Sequence, residues 1–533
     1  MHHLRISLCF MCALIALAAA SEMARADGWQ GYAGDPQHTA VSLTPADSLQ
    51  SIKWSTNVDL SLGHPTVGDV YVHYGSPMIT AGNTVIVPVR KADGASFEIN
   101  AFDGSTGTAK WSLATDYTLP AHDWVPPYSP TVTPSGRLYY PGNGGTLYYR
   151  DSTDSSSGTT GQIAFFGPSS YYQNNAASFN AAVQISTPLT SDAAGNVYFG
   201  FQASGGLTDS TGRPLQSGIA KITPAGTATW VATPSAVSLN AALAVSNNGT
   251  SVYALTTDHL MQFNTSNLST VASTTLRDIN GNTWAPNANS TASPMIGPDG
   301  DVYVGTLSGP QFNNDRGWLL HFSADLTTPK APGAFGWDST PSIVPASVVA
   351  KMKLAGTYSG NAEYLLMCKY NNYADFGIGD GKNKLAILDP TSLHTDAATG
   401  YQAMNEVMTI DGVTPDPNFP DLPGAVREWC INTAAVDAAD CTVLANCEDG
   451  RLYCWNLLTG TFTQSLTLNS ATGEAYTPTE IGPDGTVYAT NDGYLYAVVP
   501  EPGGLAIIGC AFVGFVAGRG RRARSRSNFP FLF

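Results

Sequence analysis

Charge is scarce in this chain. Only 12% of its 533 residues are Asp, Glu, Lys or Arg, about half the usual share for a soluble protein. Basic residues are the scarcer kind, 25 against 41 acidic ones. Between Asp27 and Val499 the balance is 18 basic to 39 acidic, near −21. Such a surface repels phosphate backbones and anionic membranes, so nucleic acid is excluded as a partner. Cysteine is equally sparse. Cys9 and Cys12 fall in an N-terminal apolar segment and Cys510 in a C-terminal one, leaving Cys368, Cys430, Cys441, Cys447 and Cys454. No two of these five are adjacent, and they form neither C-x-x-C nor C-x-x-C-H. No metal centre or haem attachment is therefore expected from them. The chain also lacks a G-x-S-x-G elbow, an H-E-x-x-H helix and a P-loop. No stretch of the body shows helical periodicity with caps.

What is present is a repeated phrase. A hydroxyl residue and a proline open a strand, a glycine turn follows, and then a Val/Leu-Tyr pair. Ser129-Pro130 leads to Gly136-Arg137-Leu138-Tyr139, and Thr187-Pro188 to Gly195-Asn196-Val197-Tyr198. Ser293-Pro294 leads to Gly300-Asp301-Val302-Tyr303, and Thr477-Pro478 to Gly485-Thr486-Val487-Tyr488. Starts of the inner strand fall 44 to 58 residues apart, except for one gap of 93. A period near fifty is that of a propeller blade. We read residues 396–426, within the long gap, as an inserted loop, and the Ser/Gly/Asn-rich stretch 151–181 as a surface excursion. The expected fold is all-β: an eight-bladed β-propeller of four-stranded blades, with seven blades as the alternative. The last unit lacks a fourth strand, and Ser51–Val58 can supply it, which would close the ring and remove both exposed edges. In the seventh unit, a hairpin loop at Asp437–Asp440 would set Cys430 opposite Cys447. That makes this pair the disulfide candidate in an exported chain, the alternative being small buried core residues.

The ends read as addresses. Arg5, the apolar run 6–20 and Ala24-Arg25-Ala26 form a signal peptide, residues 1–26, with the mature chain starting at Asp27. The body is 27–499. In segment 500–533, Pro500-Glu501-Pro502 precedes an apolar run with the reach of a short transmembrane helix. Arg519, Arg521, Arg522, Arg524 and Arg526 follow it. This order resembles the PEP-CTERM sorting signal of exosortase systems. The resemblance implies export machinery and an exosortase-type sorting enzyme as partners, and delivery to the cell envelope, surface or matrix. A plain C-terminal membrane anchor is the alternative.

In the first unit, Ala101-x-Asp103-x-x-Thr106-Gly107-x-x-x-Trp111 resembles the tryptophan-docking repeat of PQQ-like propellers, which include the quinoprotein dehydrogenases and BamB-like scaffold proteins. Trp29-x-Gly31-x-x-Gly34-Asp35-x-Gln37-His38-Thr39 resembles the start of such chains. The resemblance implies that Asp103, Thr106 and Gly107 shape a turn and that Trp111 packs between blades. In the dehydrogenases a quinone lies against a Trp and a pair of adjacent cysteines, and a Glu/Asn/Asp set holds Ca²⁺. This chain has no adjacent cysteines in its body, so neither PQQ nor Ca²⁺ is expected.

A site would gather where loops enter the inner strands, around the axis. Those loops carry His73 and Tyr74, His122, Asp123, Trp124 and Tyr128, then Asn240, Asp338, Arg427 and Trp429. Tyr and Trp could stack on a sugar while the polar groups orient it. Inter-blade packing is the plainer role for Trp124 and Trp429. The function expected is an exported, non-enzymatic propeller binding an extracellular polysaccharide or envelope protein. The alternative is a quinoprotein-like oxidoreductase, or a polysaccharide-acting enzyme, on the same scaffold.

Overall fold

The computed structural model describes residues 28–61, 75–118, 128–286, 290–307, 316–374, 379–470 and 477–501. The segments expected to be a signal peptide, 1–26, and a sorting signal, 500–533, lie outside the described residues, apart from Pro500 and Glu501. Among the described residues no helix is long and apolar enough to cross a membrane.

Up to Val499 the chain forms eight antiparallel sheets of four main strands each. The first blade runs Met78–Ile79, Thr84–Arg90, Phe97–Asp103 and Ala109–Ala114. The next four begin at inner strands Thr131–Val132, Thr190–Ser191, Ala244–Val245 and Met295–Ile296, and the last three at Ser342–Val344, Ala435–Asp437 and Glu480–Ile481. The ring closes as expected: Ser51–Asn57 pairs antiparallel with Tyr494–Val499 and completes blade eight.

The repeated phrase has a physical reading. Its glycines, Gly136, Gly195, Gly300 and Gly485, take φ of 78–90°, a left-handed turn conformation that costs glycine little. Its tyrosines sit opposite the inner strand, as in Thr131–Tyr139, Thr190–Tyr198, Met295–Tyr303 and Glu480–Tyr488. All four are buried. Tyr303 and Tyr488 reach across to the next blade, through Tyr364 Oη at 2.6 Å and the Gly104 carbonyl at 3.4 Å. The phrase thus encodes a tight turn and an inter-blade stitch.

Two segments depart from the expected reading. The stretch 151–181 supplies Thr160–Ala164, the outer strand of blade two, and a helix, Ser169–Ala182. Tyr172 and Phe179 alone bury deeply from that helix, and Phe166 stacks on Phe179 at 3.9 Å. Its N-cap makes no side-chain bond and its apolar stripe is narrow, so neither usual signal marks it. The long gap is not one inserted loop. It holds a helix, Ala346–Ala355, between the first two strands of blade six, and long third and fourth strands, Lys384–Thr395 and Gln402–Asp411.

A thread of main chain lines the inner edge. Between Trp29 and Ala40 it hydrogen-bonds the inner strands of blades one, two, four, five, six and seven. Val41–Ser42 then runs parallel to Ala435–Asp437.

Candidate functional site

The Asp103 turn lies at the edge of blade one. Asp103 Oδ1 accepts from the Thr106 amide and hydroxyl, each at 3.0 Å. Gly107 takes φ 70°. Trp111 Nε1 donates to the Thr153 carbonyl of blade two at 2.8 Å, and the Arg150 guanidinium lies 4.5 Å above its ring.

The axial residues converge on blades five to seven. Asp338 is buried, and its Oδ1 accepts from the Thr291 amide at 2.6 Å, Thr291 Oγ1 at 2.7 Å, Asn432 Nδ2 at 3.2 Å and Ser290 Oγ at 3.3 Å. Below them the Tyr32 phenol, brought by the thread, meets Asn432 Oδ1, Thr340 Oγ1 at 2.7 Å and the Thr291 carbonyl at 3.2 Å. Such a network is rigid because every member fixes its neighbours. Asp338 and Asn240 both take positive φ, 44° and 67°, which asparagine and aspartate tolerate best among residues with a Cβ. The Asn240 amide donates to the Ser186 carbonyl of the previous blade at 2.9 Å.

A second cluster lies beside it in blade seven. The ligand atoms of Glu428, Cys430 and Glu448 all fall within 4.8 Å of one another. Glu448 Oε1 accepts from the Glu428 amide at 3.1 Å and from Arg427 Nη1 at 3.4 Å. Its Oε2 meets only the Cys430 thiol, at 3.5 Å. Burial pushes the Glu448 carboxyl up to about 7, against the hydrogen bond from Glu428 and the Arg427 charge. Arg427 also lies 4.0 Å from Asp416. The Tyr373 phenol is within electrostatic reach of Glu428, Cys430 and Asp338, and so links the two clusters.

The singled-out residues therefore divide. Asp338 joins the axial network, and Arg427 adjoins the Glu/Cys cluster. Asn240 stands apart, two blades away. Tyr128 is core: it stacks on Phe97 at 4.7 Å and gives its hydroxyl to the Pro141 carbonyl. Trp429 is buried against Tyr453 and Phe462 at 5.4 and 5.9 Å. His73, Tyr74, His122, Asp123 and Trp124 lie outside the described residues. The Cys430–Cys447 disulfide is not formed. The hairpin turns later than expected, with Ala435 opposite Leu444 and Asp437 opposite Thr442, so Cys447 falls two places out of register with Cys430. Its thiol turns to the Glu428 carbonyl at 3.2 Å. The sequence reading missed Tyr32, Thr291, Asn432 and Glu448. Tyr32 lay inside the N-terminal motif quoted above, and that position was the one signal available. The absence of a metal motif did not anticipate the Glu/Cys set, because its donors arrive from two segments 18 residues apart.

No family model matches the chain, and no curated protein matches it. Solved structures do. The europium-containing methanol dehydrogenase is 9% identical, over 87% of this chain and 89% of its own, with a TM-score of 0.50. The quinohemoprotein alcohol dehydrogenase from Comamonas testosteroni is 11% identical, over 95% and 83%, also at 0.50. Saccharomyces cerevisiae Sqt1 is 12% identical, over 86% and 100%, at 0.49. At these identities the likeness is one of fold. The expectation of a binding propeller without catalysis is corrected on this point: two of these solved structures are alcohol dehydrogenases.

Proposed function

We propose that this chain is a quinoprotein-like oxidoreductase acting on an alcohol at the entry side of blades five to seven. One observation carries the reading: Asp338, held by four donors, and the Glu428–Cys430–Glu448 set converge there around one buried phenol, Tyr373. Convergent carboxylates in a buried polar arc are the groups that proton and hydride chemistry requires. The fold shared with two alcohol dehydrogenases supports the reading.

The group implied by the PQQ-like resemblance is an anionic quinone with a cation. In donor chemistry the residues suit it. Ser186 Oγ, Ser339 Oγ and Thr477 Oγ1, at the inner-strand entries of blades three, six and eight, are buried without partners. Such hydroxyls are donors for carboxylates. The adjacent cysteine pair of the dehydrogenases is absent, so the quinone would be gripped without it. Bound there, the quinone would supply the two-electron acceptor. The chain's own part is positioning, with Asp338 fixing Thr291 and Asn432 in one arrangement.

The test is reconstitution of the purified body with PQQ and either Ca²⁺ or a lanthanide. We expect a retained quinone spectrum and alcohol-dependent dye reduction, with kcat lowered more than KM is raised in Asp338→Asn. Neither a retained quinone nor dye reduction with any cation would refute the proposal. We also propose the cell envelope as its location, processed at both ends. Fractionation and the mass of the mature chain test this, and an unprocessed cytoplasmic product would overturn it.

A further inference from the structure

We propose that Glu428, Cys430 and Glu448 form a site for a borderline divalent cation of the zinc class, with the Cys430 thiolate as the selecting ligand. The three donors lie within 4.8 Å of one another. Tetrahedral zinc holds sulfur at about 2.3 Å and carboxylate oxygen at about 2.0–2.2 Å, so small side-chain rotations would close the set. An independent observation points into the site. Glu448 is 5% exposed, and no N–H or O–H reaches its Oε2, which faces only sulfur. A thiol is a weak donor, so this buried carboxylate oxygen is held by less than burial normally demands. Charge points the same way. Buried Glu448 and buried Asp416 share a single guanidinium, Arg427, at 3.4 and 4.0 Å. A divalent ion would balance that excess.

Sulfur decides which ion. Calcium takes six to eight oxygen ligands, whereas thiolate favours zinc-like cations. Binding would replace the Cys430 thiol proton with the metal and release that proton to solvent. Three protein ligands leave a coordination position open, the pattern of a catalytic rather than a purely structural zinc centre. Glu428 is half-buried, so the site has an edge toward solvent. The inference uses the same Glu/Cys set as the oxidoreductase reading, and its failure is distinguishable because metal binding is measured without quinone or alcohol.

Cobalt is the probe. Co²⁺ added to the metal-free, reduced full body should give a sulfur-to-cobalt charge-transfer band in the near ultraviolet at one equivalent. Zn²⁺ should abolish the band, and Ca²⁺ should leave it. Cys430→Ser should remove the band and weaken Zn²⁺ binding by about 100-fold or more. Glu448→Gln should weaken Zn²⁺ binding while keeping a weaker band. Cys447→Ser should change neither, since that thiol faces a carbonyl. No band in the wild type, a band that survives Cys430→Ser, or Ca²⁺ competing as well as Zn²⁺ would each overturn the proposal. Circular dichroism of each variant separates lost ligation from lost fold.

Discussion

Replacing Glu480 with methionine should stabilise the protein, and increasingly so as pH rises. Glu480 sits on the inner strand of blade eight, fully buried, with neither carboxyl oxygen hydrogen-bonded. Its ladder partner is Tyr488, whose hydroxyl reaches blade one, so Glu480 lies in the seam where the ring closes. Burial alone holds its carboxyl protonated, well above the ordinary range. An unfolded chain releases that proton above about pH 4.3, while the folded chain keeps it. Stability therefore falls as pH rises from there, by about 1.4 kcal/mol per unit, until the folded group itself ionises. Met78 and Met295 hold the equivalent ladder position in blades one and five, so Glu480→Met fits a pocket the fold already fills with that side chain. A chain of this length has an unfolding entropy giving about 1 °C per kcal/mol. The melting temperature of the variant minus that of the wild type should thus grow by about 1.4 °C per pH unit above pH 5. Scanning calorimetry between pH 5 and 7 reads the slope. Glu480→Gln should show the same slope with a smaller gain, because its amide remains unpartnered. A difference that is flat with pH in both variants would refute the reasoning.

Three further outcomes follow from the same packing. His38 is buried, with Nδ1 2.7 Å from the Pro294 carbonyl and Nε2 unpartnered, and burial lowers its pKa to about 4. The unfolded chain takes up this proton below about pH 6.5 and the folded one does not, so stability falls as pH falls between about 6.5 and 4, by about 1.4 kcal/mol per unit. His38→Gln should flatten that limb in urea titrations, and an unchanged limb would count against it. Gly107→Ala sets a Cβ 2.6 Å from Trp54 Cγ at φ 70°. It should cost about 1–3 kcal/mol and speed hydrogen exchange in Ser51–Asn57, whereas unchanged exchange there would contradict the seam packing. Tyr32→Phe strips the hydroxyl from Thr340 and Asn432 and should cost about 1–3 kcal/mol. Wild-type stability in that variant would mean the axial network is slack.

Blade number and ring closure could be read from the chain because the signals are local. A left-handed glycine followed by an inward tyrosine recurs in each phrase, and the missing fourth strand was visible at both ends. The helix Ser169–Ala182 was hidden because it buries only two side chains deeply. The Cys430–Cys447 pairing failed because a one-residue shift in turn position moves each cross-strand partner by two places, and composition does not fix where a turn begins. The site was legible only in part. Asp338 and Arg427 stood out as unusual residues in entry loops. Asn432 and Glu448 looked like ordinary turn and strand residues, and only the fold brings them to Tyr32 and Cys430.

The thread from Trp29 to Ala40 explains where a site can be. Inner strands of two or three residues leave an exposed edge of amides and carbonyls around the axis, and buried main-chain groups must be paired. In a propeller without such a thread, water or ligand would meet that edge. Here Gln30, Pro36, Gln37, Thr39 and Ala40 offer carbonyls to it, and Tyr32 satisfies Thr340 and Asn432 from beneath. The axis is thereby closed by the chain's own backbone. Ligand chemistry is pushed outward to loops that the thread does not reach, and those of blades six and seven bring Asp338, Glu428 and Cys430 within electrostatic reach of Tyr373. That placement follows from hydrogen-bond satisfaction rather than from any motif. It is also why the repeated phrase, which builds the blades, carries none of these site residues.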